Sequence, residues 1–139
     1  MEPVKTGQIL LVYDGSSVAD RALEAALGRA RATKASITLL AALPPRLWRA
    51  RVGQFQIPPE KHDEDWARAQ LARAQDRVRD AGIHAESLVR VGPPARVIGE
   101  EAARGYAALF LSDRPSLTGG PPLARVVTAP DGCEVVAVT

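Results

Sequence analysis

A chain of 139 residues, 46% of them hydrophobic, can bury one core and has no length for a second, so residues 1–139 read as a single domain. Its 11 prolines and 11 glycines cluster between periodic stretches, which excludes wholesale disorder, and a formal net charge of +2 excludes a strongly basic nucleic-acid binder. All but Lys5, Lys34 and Lys61 of the 18 basic residues are arginine, and many share presumptive helix faces with Asp or Glu. That is the pattern of an ion-paired, solvated surface, with Arg46, Arg49 and Arg51 left as a weak uncompensated group. No stretch approaches the roughly 20 apolar residues that span a bilayer, and Met1 to Gly7 lacks the features of a signal segment. The expectation is a cytoplasmic protein with neither a membrane nor a nucleic-acid partner. Cys133 alone makes no internal disulfide and reads as a small hydrophobe, while one Cys with His62 and His84 is too few ligands for a metal site.

Along the chain, Ile9 to Tyr13 is a continuous apolar run that stops at Asp14-Gly15-Ser16-Ser17, the mark of a strand buried on both faces. Ser16 or Ser17 caps a helix to about Thr33, with Ala19, Leu23, Ala26, Leu27 and Ala30 at helical spacing. Ile37 to Ala42 is a second buried strand. Leu43 to Pro59 is then a long connection with Pro44, Pro45, Pro58 and Pro59, carrying Leu47, Trp48, Phe55 and Ile57. The second helix begins near Lys61, with Ala67, Leu71, Ala74, Val78 and Ala81 on one stripe, a Glu64/Arg68 pair one turn apart and Gly82 at its end. Ala85 to Val91 is a third strand whose Glu86, Ser87 and Arg90 suit a sheet edge. Gly92-Pro93-Pro94 turns into a third helix with Val97, Ile98 and Ala102. A fourth strand follows at Ala107 to Leu111, a short helix at Pro122 to about Ala129, and a last strand at Glu134 to Val138. Strands alternating with helices imply right-handed crossovers and an open, doubly wound α/β domain with a five-stranded parallel sheet and helices on both faces. Ligands of such sheets bind beyond the strands' carboxyl ends where the winding reverses, which directs attention to Asp14.

Three segments in order, Ile9-Leu10-Leu11-Val12-Tyr13-Asp14-Gly15-Ser16, Val91-Gly92-Pro93-Pro94-Ala95-Arg96-Val97-Ile98 and Tyr106-Ala107-Ala108-Leu109-Phe110-Leu111, resemble the universal stress protein family. The likeness extends over nearly the whole chain. It implies a sheet ordered 3-2-1-4-5 of the adenine nucleotide alpha hydrolase-like kind, and homodimers paired through the last strand, here Val135, Val136, Ala137 and Val138. Family members that bind ATP carry a glycine motif directly after the fourth strand, ending in Gly followed by Ser or Thr. This sequence has Ser112 and Pro115 where the first two glycines belong, and its Gly119-Gly120 arrives early and leads into Pro121-Pro122.

A phosphate cradle needs converging backbone N–H groups, and proline has none. Pro115, Pro121 and Pro122 subtract donors, although Gly119-Gly120 beside Arg114 or Arg125 retains the makings of a small anion nest. By resemblance, Asp14, Gly15, Ala42, Gly119 and Gly120 are the candidate contacts of a vestigial adenine-nucleotide site. Asp14 has an equally concrete structural use as a cap on the following turn. No catalytic residue is evident: a receiver domain needs an acid after strand three, where Val89-Arg90-Val91-Gly92 stands, and the first turn lacks a dinucleotide-binding glycine fingerprint. The expectation is a noncatalytic stress-response or regulatory homodimer with an unidentified protein partner and no cofactor. The alternative is a switch that binds ATP or AMP in an altered pose.

Overall fold

The computed structural model describes residues 5–43, 59–113 and 123–139. Five strands, β1 (Lys5–Val12), β2 (Ser36–Leu43), β3 (Ala85–Val91), β4 (Tyr106–Ser112) and β5 (Glu134–Val138), form one parallel sheet in the order β3-β2-β1-β4-β5. Four helices accompany them: α1 (Ser17–Thr33), α2 (Pro59–Asp80), α3 (Pro94–Ala102) and the single-turn α4 (Leu123–Val126). The expected fold and strand order are both present.

Pleat alternation divides the sheet between two apolar layers. Ile9, Leu11, Ile37, Leu39, Ala108 and Phe110 face Leu23, Ala26 and Leu27 of α1 and Ala67, Leu71, Ala74 and Val78 of α2. Leu10, Leu40, Leu109 and Leu111 turn the other way, toward Ile98 and Ala102 of α3. Helix α1 starts where the Ser16 hydroxyl accepts from the Ala19 N–H at 3.1 Å, and it ends on Lys34 in the left-handed conformation, φ 57°. Ile83 N–H reaches back to the Val78 carbonyl at 3.2 Å around Gly82, which closes α2 as its sequence predicts. The Glu64/Arg68 pair forms at 2.7 Å.

Some boundaries differ from the sequence reading. Strand β1 starts at Lys5, four residues before the apolar run, because those polar residues lie beyond the fully buried stretch and Gly7, φ 88°, interrupts the register with β4. The short helix covers only Leu123–Val126; beyond it the chain leaves the helix and the Thr128 carbonyl packs against Gly99 of α3, 3.4 Å from where a side chain would begin.

The two edges of the sheet are unlike. At β3 the Gln75 amide of α2 donates to the Ala85 carbonyl at 2.9 Å and accepts from the Ser87 hydroxyl at 3.3 Å, while Glu86 and Ser87 stay exposed. This edge is occupied and polar, as its composition predicts. At β5, Val136 and Val138 pack inward against the α1 layer, while Val135, 38% exposed, and Ala137 do not. Salt bridging of Arg29 to Glu134 at 2.8 Å and donation from Arg21 Nε to the Thr139 carbonyl at 3.0 Å tie α1 to both ends of β5.

One charged side chain lies inside the thinner layer. Glu101 of α3 is 1% exposed; its Oε2 accepts from the Tyr106 hydroxyl at 2.6 Å, and its Oε1 stands 3.3 Å from Arg90 Nη1 and 4.0 Å from Arg104 Nη1. A buried carboxylate is tolerated only with such partners. Removing the hydroxyl in Tyr106→Phe strands one of its oxygens, so urea denaturation is expected to register a loss of about 1–3 kcal/mol.

Candidate functional site

The site grows from the carboxyl end of β1. Tyr13 N–H donates to the Leu40 carbonyl at 2.9 Å, which extends the β1–β2 ladder one step past the strand. The chain then turns at Gly15, φ 80°, a conformation that glycine adopts without the cost a Cβ imposes. Asp14 Oδ1 accepts from Ser16 N–H at 2.9 Å, and the Ser16 carbonyl accepts from Asp20 N–H at 3.0 Å to begin α1. Asp14 therefore performs the capping task that its sequence position predicts, and its second carboxylate oxygen has no hydrogen-bond partner among the described residues.

Neighbouring strands place further residues beside it. Val12 lies opposite Leu40, so continuing that register sets Ala42 alongside Asp14. Leu11 lies opposite Phe110 on the other side, the last pair of that ladder, and continuing the register past both strands would bring Asp113, which follows β4, toward the level of Asp14. Asp113 N–H donates to the Val138 carbonyl at 2.8 Å, and its carboxylate makes no hydrogen bond or ion pair among the described residues. Over the turn lies Gln70 of α2: a Cβ on Gly15 would stand 2.9 Å from its Oε1. The Gln70 amide is half-buried and makes no hydrogen bond among the described residues. Neither Asp113 nor Gln70 figured in the sequence reading. The first was hidden behind the search for glycines after β4; the second emerges only when α2 is packed on α1.

Asp14, Gly15 and Ala42 thus lie together at the carboxyl ends of β1 and β2. Gly119 and Gly120, together with Arg114, Pro115, Pro121 and Pro122, lie outside the described residues, as do Arg46, Arg49, Arg51, Trp48 and Phe55. His84 is exposed, 3.5 Å from Glu86 and away from that end of the sheet. Among the described residues no group of three His, Cys, Asp or Glu is placed to hold a metal ion, and no helix is long and apolar enough to cross a membrane. Cys133 is half-buried against the α3 layer, and that desolvation pushes its thiol pKa up.

The Tyr13 side chain turns to the α1–α2 layer, where its hydroxyl donates to Asp20 Oδ1 at 2.5 Å. Burial and that bond raise its pKa from 10.0 to about 12. Burial and the bond to Glu101 likewise raise Tyr106 to about 12.

An open parallel sheet whose winding reverses at β1, with a turn and helix start at that strand's carboxyl end, defines a doubly wound, adenine nucleotide alpha hydrolase-like domain. The family model described as the universal stress protein family matches residues 5–109, and the chain belongs to that family. Solved structures agree on the fold. A universal stress protein family member from Burkholderia pseudomallei superimposes with a TM-score of 0.70 at 20% identity, covering 98% of both chains. A universal stress protein in complex with cAMP gives 0.66 at 22% identity over 96% of each chain. One from Archaeoglobus fulgidus in complex with dAMP gives 0.69 at 21% identity, over 95% of this chain and 97% of that one. Among curated proteins no match is found.

The two tyrosines set an alkaline limit on the fold. In the unfolded chain they ionise near 10.0, whereas in the folded chain they hold their protons to about 12, so the unfolded state loses protons first. Their contribution is intact below pH 10.0 and declines as pH climbs toward about 12. Thermal melts across that range are expected to fall, and to fall less steeply in the Tyr13→Phe/Tyr106→Phe double variant.

Proposed function

We propose that this universal stress protein is a noncatalytic stress-response regulator, a single domain over residues 1–139, that works in the cytoplasm as a homodimer joined through β5 and recognises a protein partner. The observation that carries the reading is the bare edge of β5. At β3 the Gln75 amide of α2 already occupies the Ala85 carbonyl, whereas among the described residues the outward backbone groups of β5 have no partner, and two-fold pairing would satisfy them. The absence of an ordinary triphosphate site belongs to the same proposal. It is supported by the donors that Pro115, Pro121 and Pro122 lack, and by the carboxylates of Asp14 and Asp113 beyond β1 and β4.

A second reading, an adenosine-type ligand held by Asp14, Gly15, Ala42, Gly119 and Gly120, is favoured by the second carboxylate oxygen of Asp14, which has no partner among the described residues. The relatives crystallised with cAMP and dAMP support it by analogy of fold.

Light scattering at micromolar concentration is expected to give twice the chain mass. An antiparallel pairing centred on Val136 sets Val135 of each copy against Ala137 of the other. Val135→Lys/Ala137→Lys therefore brings like charges together and is expected to yield monomers that keep the native circular dichroism spectrum and melt cooperatively, at a midpoint lowered by no more than the loss of association. Val136→Lys would confound the test, since that side chain is partly buried against the α1 layer and a lysine there is expected to destabilise the fold itself. A wild-type protein that stays monomeric removes the proposal.

A further inference from the structure

At the amino end of the sheet, opposite the end where β1 turns at Asp14, a cavity of about 450 Å³ lies where α1 and α2 stop and β1 and β2 begin. Gly7 and Gly82 both border it, and a Cβ built on either would meet no atom within 4 Å, so open space continues up to both backbones. Ala30, Ala35 and Ile83 in its wall are buried, which ties the cavity to the α1–α2 layer.

Its charge has one sign. The ionisable side chains lining it are Arg31, Lys34 and His84, with no Asp or Glu among them. His84 Nε2 stands 3.5 Å from Glu86, which offsets it. Among the described residues the Arg31 and Lys34 side chains make no ion pair or hydrogen bond. Basic residues in a helix's last turn ordinarily serve its unpaired carbonyls. Here the backbone already performs that task. The Ala30 carbonyl accepts from the N–H groups of Lys34 and Ala35, the Val78 carbonyl from those of Ala81 and Ile83, and the Arg79 carbonyl from that of Gly82. Both cations are therefore free to face a ligand. Ser36 adds a hydroxyl whose only bond, to the Gly7 carbonyl, is 3.5 Å long and at the limit of such contacts, so it can donate elsewhere.

A concave wall of one charge sign raises the local concentration of counter-ions. Arg31 and Lys34 are both exposed, so each contributes a screened attraction that holds a singly charged ion poorly. An anion that meets both together gains twice, and the cavity is roomier than a single phosphate group requires. An arginine fork and a lysine point charge are the two cations that proteins use on phosphate oxygens. We infer that this cavity binds a small multivalent anion of the condensed-phosphate or phosphate-ester class, with Arg31 and Lys34 holding its charge and the Ser36 hydroxyl donating to it. The site lies at the other end of the sheet from Asp14 and does not depend on the adenosine-type reading.

Titration of pyrophosphate into the isotope-labelled full chain, followed by amide NMR shifts and by isothermal calorimetry, tests it. Shifts are expected to saturate and to cluster at Gly7, Lys34, Ser36, Gly82 and His84, with inorganic phosphate binding several-fold more weakly. Lys34→Gly suits the left-handed backbone there, φ 57°, and Arg31→Gln keeps a good helix former on α1. Each is expected to weaken pyrophosphate roughly fivefold and the pair roughly twentyfold, the attraction of one contact charge near water's dielectric being lost each time. Arg68→Gln removes the same charge near the other end of α2 and is expected to leave the affinity within about twofold. Circular dichroism verifies folding, and the two single variants decide should the double variant not fold. No saturable shift at millimolar pyrophosphate overturns the inference. So do shifts confined to the residues following Asp14 or β4, an affinity that neither Arg31→Gln nor Lys34→Gly alters, or an equal loss in Arg68→Gln.

Discussion

The burial of β1 on both faces and along both edges is the constraint from which the remaining architecture follows. Ile9, Leu10 and Leu11 are essentially inaccessible to water, which requires a helix layer above, another below, and a strand on each side. Right-handed crossovers satisfy the first half of the chain by carrying β2 and β3 to one side under α1 and α2. The second half then goes the other way, with α3 and α4 on the opposite face. The connections therefore part at β1, the point beyond whose carboxyl end ligands of open α/β sheets bind. Asp14 owes its position to this topology, and its use as a cap on the next turn does not depend on any ligand.

The two helix layers are unequal, and the chemistry within them differs accordingly. Long α1 and α2 present broad apolar stripes, so their layer is filled with aliphatic side chains and the Tyr13 ring. The α3 layer has nine residues of helix and one further turn, and it places the Glu101 carboxylate where another hydrophobe is the simpler solution. Removing one partner from such a group costs more than the pair contributes when intact, so Glu101, Tyr106 and Arg90 act as a unit that fixes how α3 sits. This is specificity of arrangement more than stability.

Much of this was legible in the residues. Strands β3 and β5 have the boundaries that their composition implies, and Ser16 caps α1 as its place before the apolar stripe requires. The polarity of Glu86 and Ser87 correctly marks an edge. What escaped had a physical reason in each case. Lys5 to Gln8 pair as a strand through backbone groups, which leave no hydrophobic trace. Glu101 follows Glu100 in a helix, where acids ordinarily face water, and nothing local reveals that one points inward. Asp113 and Gln70 acquire meaning only from the register of β1 with β4 and from the packing of α2 on the first turn. Glycines are the expected signature of the site, and the described residues at the carboxyl end of β1 are instead carboxylates and an amide.

The Gln75 bridge at β3 has a consequence for how many chains can join. A parallel sheet with two open edges is a monomer for linear growth, because each added copy offers a fresh edge to the next. Here α2 lays the Gln75 amide on the Ala85 carbonyl at the start of one edge, which makes that edge the less inviting of the two for an added strand. When two such sheets meet edge to edge through β5, each presents that less inviting edge outward, which disfavours further addition.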